Sequence, residues 1–413
     1  MPVLRLRSTV LTHQNWGKSR GFRPPATITT CERPAYHNGA LNRKRSGIIV
    51  LIRWFIRKRC FGMKQITHAG FSVNSRVLAH PLAGVQRYLL ELLTRMEDVT
   101  DMRQIAPHPS IKGARAHLWE QTVLPLRTRG QLLWSPSNTG PLAVSRQVVT
   151  IHDVVSMDHP EWLNPRFAGW YCFLTPKLAR RVRHIITDAA FTRDRIVATT
   201  GVSEQKITVI PLGVDARYLS VTVEQVVEAR TQLGLPSTRY ILSLGSLEPR
   251  KNLGRLLAAW QQIVERVPED VWLVVSGAAG REQVFQRVAM DALPPRVWLT
   301  GRVDDFLLPG LYAGALAFAY LSVYEGFGLP PLEAMACGVP PLTGNLASLP
   351  EVVGDGGIMV DPYDVGAIAE ALLYLIEHEQ ERAELGQCAA QRAKRFSWDT
   401  TAAQTLAVLR DHA

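Results

Sequence analysis

The sequence is poor in cysteine and has no cysteine motif. Five cysteines are spread over 413 residues and none stands in a CxxC pair: Cys31, Cys60, Cys172, Cys337 and Cys388. An odd number of isolated cysteines argues against a disulfide framework and against a zinc site. We therefore expect a protein of the reducing cytoplasm.

Long hydrophobic runs are also missing. No stretch reaches the roughly 20 apolar residues that a membrane-spanning helix needs. The nearest is "GIIVLIRWFIRKRC" (47–60), which Arg53 interrupts and a basic cluster follows. A signal peptide would carry its charge first and a cleavage site after. Two interpretations remain open: a basic interfacial helix on anionic lipid, or translation that begins at Met63.

The excess of basic over acidic residues lies at one end of the chain. The net charge is +11, yet residues 1–62 hold 13 Lys and Arg and one acidic residue, so the remaining residues carry a net charge of −1. The first 45 residues of this leader (1–62) show no sustained periodicity, which predicts disorder. A neutral body argues against a nucleic-acid-binding protein.

After Met63, apolar runs alternate with amphipathic stretches. This alternation predicts doubly wound parallel sheets of the α/β class. Neither half carries GxGxxG after a strand, and "SGAAGRE" (276–282) lacks its spacing. The segment 213–239 is the candidate boundary between two halves. The predicted strands are 147–153, 184–188, 207–213, 239–245, 271–277 and 316–322, and the predicted helices include 85–96, 254–267 and 364–380.

The most informative stretch is "YEGFGLPPLEAMACG" (324–338). It predicts a glycine loop after a buried strand, then a helix with prolines in its first turn and Gly338 as its cap. The free N–H groups of such a helix start attract anions. Glu333, expected in the first turn, can accept hydrogen bonds from a vicinal diol. The alternative is that the glutamates have only a structural role and bind no ligand, since helix first turns favour Glu.

A basic loop precedes this stretch in the same half. In "SLGSLEPRKNL" (243–253), Arg250 and Lys251 follow a predicted strand. Two adjacent cations at the carboxyl end of a strand suit a diphosphate. The alternative is a solvated loop in which Asn252 caps the next helix.

Together these motifs resemble the retaining GT-B glycosyltransferases of the family 4 type (glycosyl transferases group 1), which use nucleotide-sugar donors. The spacing of Glu325 and Glu333 matches the family signature E-x(7)-E. "HPLAGVQRY" (80–88) is similar to its glycine loop, and 134–153 to its strand ending in His-Asp. The nearest relatives in pattern are bacterial transferases, often mannosyltransferases, of surface polysaccharide assembly.

The resemblance implies a fold and its domains. We expect a GT-B fold in which two Rossmann-like parallel-sheet domains face a cleft. The acceptor-side domain would span residues 63–220 and the nucleotide-sugar-binding domain residues 221–395. The segment 396–413 resembles the helix that crosses back to the first domain.

Site roles follow from the resemblance, residue by residue. Glu333 would hold the ribose, and Glu325 would contact the transferred sugar. Arg250 and Lys251 would neutralise the diphosphate, and His152 would lie at the cleft wall, unless it is a structural histidine. The backbone would contact sugar and phosphate at Gly326, Phe327, Gly328, Leu329, Gly84 and Gly245.

Two departures modify this expectation. Ser246 stands where many relatives have a second arginine, and Ala189 and Ala190 replace a polar pair, which puts an acceptor contact there in doubt. No Asp-x-Asp triplet occurs, so we expect no metal and no other cofactor. The partners implied are a nucleotide sugar such as GDP-mannose, a saccharide or polyprenyl-linked acceptor, and an anionic membrane contacted peripherally.

The predicted function is therefore transfer of a hexose, mannose favoured, with retention of configuration in polysaccharide biosynthesis. Front-face attack is favoured because no protein nucleophile is evident. Another GT-B sugar-nucleotide enzyme, such as an epimerase, remains an alternative. So does a catalytically weak binding protein.

Overall fold

The computed structural model of the protein describes residues 70–79, 83–107, 111, 113–128, 130–245, 248–277 and 293–413. The predicted leader 1–62 and Ser246 lie outside the described residues. Among the residues described, no helix combines the length and the apolar character that crossing a membrane requires. Three cysteines lie in the described part and are free thiols: Cys172, Cys337 and Cys388.

The first half of the described chain forms one parallel sheet. Its strands are β1 (Phe71–Asn74), β2 (Met102–Ile105), β3 (Leu133–Ser135), β4 (Gln147–Thr150), β5 (His184–Thr187) and β6 (Ile207–Val209). Their order in the sheet is β2-β1-β3-β4-β5-β6. Short strands that are mostly apolar suit a sheet that helices cover on both faces. The helices are α1 (Gly84–Met96), α2 (Ala114–Arg127), α3 (Val155–Asp158), α4 (Pro165–Arg181) and α5 (Ala190–Thr200).

A second six-stranded parallel sheet follows. Its strands are β7 (Arg239–Leu244), β8 (Val271–Ser276), β9 (Val297–Gly301), β10 (Ala317–Tyr320), β11 (Pro341–Gly344) and β12 (Ile358–Val360). Their order in the sheet is β12-β11-β10-β7-β8-β9. The described helices are α6 (Val223–Gln232), α7 (Leu253–Ile263), α8 (Leu308–Ala313), α9 (Leu329–Ala336), α10 (Leu349–Val353), α11 (Val365–Glu377), α12 (Glu379–Ala393) and α13 (Trp398–Asp411). The prediction of two doubly wound parallel sheets is confirmed.

The last helix packs on the first half. Trp398, at the start of α13, is buried with its ring 6.3 Å from that of Tyr88 on α1. The chain before it lies so close to the connection between the halves that a side-chain carbon at Gly213 would lie 2.1 Å from the Trp398 nitrogen. Glycine is therefore required at position 213 for this contact. The boundaries at 220 and 395 stay predictions.

Each of the six predicted strand segments contains a strand, but two predicted helices differ in extent. For the segment 254–267, α7 ends at Ile263, four residues before the predicted end. The segment 364–380 was predicted as a single helix, whereas α11 ends at Glu377 and α12 begins at Glu379. His378 breaks the run with φ −103° and ψ 82°. Neither glycine nor proline stands there to signal the break.

Candidate active site

Glu325 lies on the loop after β10, at the carboxyl edge of the second sheet, and is buried. Lys251 donates from Nζ to its Oε1 at 2.6 Å, and Arg250 from Nη1 to its Oε2 at 2.9 Å. The hydroxyls of Ser322 and Tyr320 also donate to Oε1, at 2.6 and 3.0 Å. Burial acts to raise the pKa of Glu325, but the two cations outweigh it and hold the pKa at about 2. The carboxylate is therefore anionic at neutral pH.

The basic loop follows β7, as predicted, and the structure places β7 beside β10 in the sheet. Arg250 also donates from Nε to Glu248 Oε2 at 2.7 Å, so two carboxylates face its guanidinium. Lys251 is partly buried, and its desolvation lowers its pKa although Glu325 opposes the effect. A side-chain carbon at Gly245 would lie 3.6 Å from Lys251 Cδ, which brings the predicted glycine to the same cluster.

The alternative interpretation of this loop as solvated agrees with the structure in part: Glu248 and Pro249 are exposed, whereas Arg250 and Lys251 are partly buried. Asn252 is buried and holds a left-handed φ of 59°. It stands at the N-cap of α7, yet its side chain makes no capping hydrogen bond. Its Nδ2 instead donates to Pro362 O at 2.6 Å, which ties the basic loop to the end of β12.

Helix α9 begins at Leu329, after Gly328 with a φ of +114°. The prolines stand in its first turn, and Gly338 with a φ of +74° follows the C-cap, both as predicted. Glu333 is the fifth residue of the helix, so its expected place in the first turn is wrong. Starting the helix at Leu329 moves the carboxylate into the second turn, on a buried face.

Glu333 has partners that sequence reasoning missed. Arg87 donates from Nη1 to its Oε1 at 2.6 Å, and the Tyr312 hydroxyl donates to Oε2 at 3.1 Å. Burial raises the pKa of Glu333, while Arg87 and Tyr312 counteract that rise. Arg87 is also 3.0 Å from Asp305 Oδ2. The signal available in the sequence was Arg87 itself, a cation three residues after Gly84 on a predicted helix.

Gly84 and Leu329 bring the starts of α1 and α9 together. A side-chain carbon at Gly84 would lie 3.6 Å from Leu329 Cδ1. Both helices therefore direct their N-terminal ends toward one region between the halves, where free N–H groups attract anions. Arg87 projects from one of these helices to Glu333 on the other.

His152 follows β4, and both nitrogens of its ring are engaged inside the first half. Nε2 donates to the Pro136 carbonyl at 3.0 Å, and Nδ1 lies 2.6 Å from Asp188 Oδ2. Burial acts to lower the pKa of His152, but Asp188 outweighs it and the pKa is raised. These contacts favour the interpretation of the ring as structural.

The backbone of His152 meets the glutamate loop of the second half. A side-chain carbon at Gly326 would lie 1.9 Å from the His152 carbonyl oxygen, so only glycine permits this approach. Phe327 is buried and its ring lies 5.8 Å from that of Phe396. The predicted residues of both halves thus converge on one region, around Glu325 and the start of α9.

No group of three His, Cys, Asp or Glu side chains in the described part of the chain is arranged to hold a metal ion. The cations Arg250 and Lys251 are the charges available for a phosphate there. Independence from metal stays a prediction.

Comparison with known proteins identifies the family. The model of the glycosyl transferases group 1 matches residues 227–392, and the model of Glycosyltransferase Family 4 matches residues 133–218. The first match contains both glutamates and the basic loop, and the second contains His152.

Curated relatives include two bacterial mannosyltransferases. The chain is 34% identical over 269 residues to O-antigen chain mannosyltransferase B of Escherichia coli, which covers 64% of this chain and 70% of the relative. It is 30% identical over 288 residues to the MMP alpha-(1->4)-mannosyltransferase of Mycolicibacterium hassiacum, covering 65% of this chain and 67% of that protein.

Solved structures share the two-sheet architecture. WaaG, a glycosyltransferase involved in lipopolysaccharide biosynthesis, superposes with a TM-score of 0.66 at 16% identity, over 82% of this chain and 99% of its own. Anabaena Alr3699/HepE in complex with UDP and glucose gives a TM-score of 0.64 at 20% identity, over 83% and 99%. The GT-B fold is therefore confirmed, and the chain belongs to the group 1, family 4 glycosyltransferases.

Proposed function

We propose that this glycosyltransferase moves mannose from GDP-mannose to a hydroxyl of a saccharide or polyprenyl-linked saccharide acceptor, with retention of configuration, during assembly of a bacterial surface polysaccharide. The observation that carries the proposal is the 34% identity to an O-antigen chain mannosyltransferase over most of that relative. The relative from Mycolicibacterium hassiacum is also a mannosyltransferase. The names of these two relatives differ in their O-antigen chain and MMP parts, but both give mannose as the transferred sugar.

The family and the fold both support a nucleotide-sugar donor. HepE, with the same architecture, has been solved with UDP-glucose and with UDP and glucose. In this chain the predicted donor residues converge where the starts of α1 and α9 approach. The names of the mannosyltransferase relatives support mannose as the transferred sugar. Guanosine as the nucleoside is part of the proposal.

Charge at the site supports departure of a diphosphate. Arg250 and Lys251 are paired with Glu325 and Glu248, so this cluster is close to neutral. An arriving diphosphate would draw the two cations toward its oxygens. Because Glu325 is buried and both cations are largely shielded from water, each such contact is stronger than it would be in bulk water.

Transfer would then proceed on one face of the sugar. The acceptor oxygen forms its bond to the anomeric carbon as the bond from that carbon to the diphosphate oxygen breaks. The proton of the acceptor hydroxyl passes to the departing phosphate oxygen. Arg250 and Lys251 would stabilise the negative charge of the leaving group, and Glu325 would face the developing positive charge of the sugar.

A peripheral position at the inner face of the cytoplasmic membrane is part of this proposal. A polyprenyl-linked acceptor presents its saccharide at a bilayer surface. The 13 Lys and Arg residues among residues 1–62 suit contact with anionic lipid.

A donor panel tests the proposed function. The full chain is incubated with GDP-mannose, UDP-glucose, ADP-glucose or dTDP-glucose, with and without a mannoside or a lipid-linked mannoside. We expect nucleotide release from GDP-mannose only when an acceptor is present, and a product whose anomeric configuration by NMR is that of the donor.

Lys394→Ala serves as the control variant, because Lys394 is an exposed lysine far along the chain from the basic loop. Faster turnover of UDP-glucose than of GDP-mannose would contradict the proposed donor. An inverted product would contradict retention, and an epimerised nucleotide sugar would support the alternative enzyme class.

A further inference from the structure

Helix α5 of the first half has no N-terminal cap of its own. Ala189 stands at the N-cap in extended backbone and has no side-chain oxygen to accept a hydrogen bond. The first N–H groups of a helix have no partner within the helix, and a Ser, Thr, Asp or Asn at the N-cap ordinarily satisfies one of them. The two alanines at 189 and 190 remove that option here.

The missing cap is supplied from the second half by Glu351. The Ala190 N–H donates to Glu351 Oε2 at 2.8 Å, and the Phe191 N–H donates to Oε1 at 2.7 Å. Both carboxylate oxygens are therefore used on one helix end. A carboxylate also interacts favourably with the positive end of the helix dipole.

Glu351 is fixed within its own half through the backbone of α10. Arg392 on α12 donates from Nη2 to Glu351 O and from Nε to Val352 O, each at 2.7 Å. The side chain thus reaches across to α5 from a backbone that the second half holds. Separation of the two halves would break the contact with α5 and leave the contacts with Arg392 intact.

The same short segment holds the glutamate loop. The Ser348 hydroxyl lies 2.7 Å from Phe327 O and 3.0 Å from Glu325 O. From the other side, the Thr192 hydroxyl in the first turn of α5 donates to Gly326 O at 3.1 Å. The first turn of α5, the segment 348–351 and the loop that carries Glu325 therefore form one connected network.

We propose that Glu351 is a positioning residue for glycosyl transfer, which closes the two halves by capping α5 in trans and thereby keeps the Glu325 loop in its working arrangement. The inference rests on the proposed function for its kinetic consequence. Its structural consequence, protection of the α5 amides by a residue of the other half, does not depend on which sugar is transferred.

Glu351→Ala tests the contact, and Asp355→Asn is the matched control. Asp355 lies four residues further on, is mostly exposed and pairs with Arg392 inside the second half. Losing a helix cap changes an equilibrium by roughly tenfold, so we expect Glu351→Ala to lower the population of the closed arrangement, and with it turnover, by about that factor. Donor hydrolysis should rise relative to transfer, because closure excludes water. Glu351→Gln, which keeps one acceptor oxygen without charge, should fall between.

A second variant separates closure from helix stability. Ala189→Ser, placed in the Glu351→Ala background, gives α5 a cap of its own. We expect it to restore the melting temperature but not turnover. If turnover returns together with the melting temperature, Glu351 is only a helix cap and the proposal is overturned.

Hydrogen–deuterium exchange gives a readout independent of activity. The amides of Ala190 and Phe191 should be protected in the full-length wild type and exchange faster in Glu351→Ala. The loop 324–328 should also exchange faster, and Asp355→Asn should leave both unchanged. If Glu351→Ala leaves the protection of these amides unchanged, the proposal is overturned. This outcome does not depend on whether the donor panel shows that the wild type transfers mannose, a different sugar or none.

Discussion

Arg87 on the first helix of the first half donates a hydrogen bond to Glu333 on α9 of the second half, with 2.6 Å between Nη1 and Oε1. The two side chains are 14% and 8% exposed, so the ion pair is largely removed from water. Burial acts to lower the pKa of Arg87, but Glu333 together with Tyr218 and Asp305 outweighs this effect, and the pKa is raised. A ribose that binds Glu333 must therefore share the carboxylate with a guanidinium or displace it.

The first prediction concerns this pair. Arg87→Met leaves the buried Glu333 without its cation, which should lower the free energy of unfolding by about 3 kcal/mol. Adding Glu333→Gln to Arg87→Met should recover part of that loss, because the unpaired charge is then absent. Urea unfolding of both single variants and the double variant measures the coupling.

Arg95→Met is the control for this cycle. Arg95 lies on the same helix, but its partners Glu91 and Asp399 are more exposed. Exposed ion pairs are worth at most about 1 kcal/mol. If Arg87→Met destabilises no more than Arg95→Met, the contact between Arg87 and Glu333 does not hold the halves together in solution.

The cluster around Glu325 could be predicted from the sequence, because it depends on parallel-strand topology. Arg250 and Glu325 each follow a strand, and the carboxyl ends of parallel strands meet at one edge of a sheet. Since β7 and β10 are neighbours in that sheet, the two loops come together. Local pattern and topology suffice for this part of the site.

The partners of Glu333 could not be predicted in the same way. Arg87 precedes Glu333 by 246 residues and belongs to the other half, so their contact depends on how the two halves pack. Tyr312 reaches Glu333 from α8, whose six residues give too short a pattern to orient one hydroxyl. The contact of Glu351 with α5 is missing from the prediction for the same reason.

The second prediction is a pH dependence of stability. Because the folded-state pKa of Glu325 is about 2, below the ordinary value of 4.5, its contribution is complete above the unfolded pKa and is lost as pH falls toward the folded pKa. Relative to Glu325→Gln, the wild type should lose about 1 kcal/mol of this advantage by pH 4 and about 2 kcal/mol by pH 3.

Chemical unfolding of both proteins at pH 7, 5, 4 and 3 measures that difference. If the stability difference stays constant from pH 7 to pH 3, the pKa of Glu325 is not lowered in the folded protein, and the prediction is contradicted. The comparison is internal, because all other carboxylates titrate in both proteins.

The third prediction is independence from metal. Turnover should survive EDTA, because Arg250 and Lys251 supply the positive charge for the leaving diphosphate. Lys251→Ala should lower turnover at least about tenfold, equivalent to about 1.4 kcal/mol of transition-state stabilisation. Lys394→Ala should leave it unchanged. Inhibition by EDTA that Mn²⁺ reverses would contradict this prediction.

The last prediction separates the roles of the two glutamates. Glu333 is predicted to hold the ribose, which is the same in the ground state and the transition state, so Glu333→Gln should weaken nucleoside diphosphate binding with less effect on turnover at saturation. Glu325 is predicted to face the sugar, whose positive character grows as the glycosidic bond breaks. Glu325→Gln should therefore lower turnover and leave affinity for free nucleoside diphosphate within about threefold of wild type.

Calorimetric titration of the nucleoside diphosphate beside saturation kinetics measures both quantities, with Glu370→Gln on the exposed face of α11 as the control. Because Glu325 also orients Arg250 and Lys251, the decisive observation is the contrast between the variants. Loss of nucleotide binding in Glu325→Gln together with unchanged binding in Glu333→Gln would reverse the assignment.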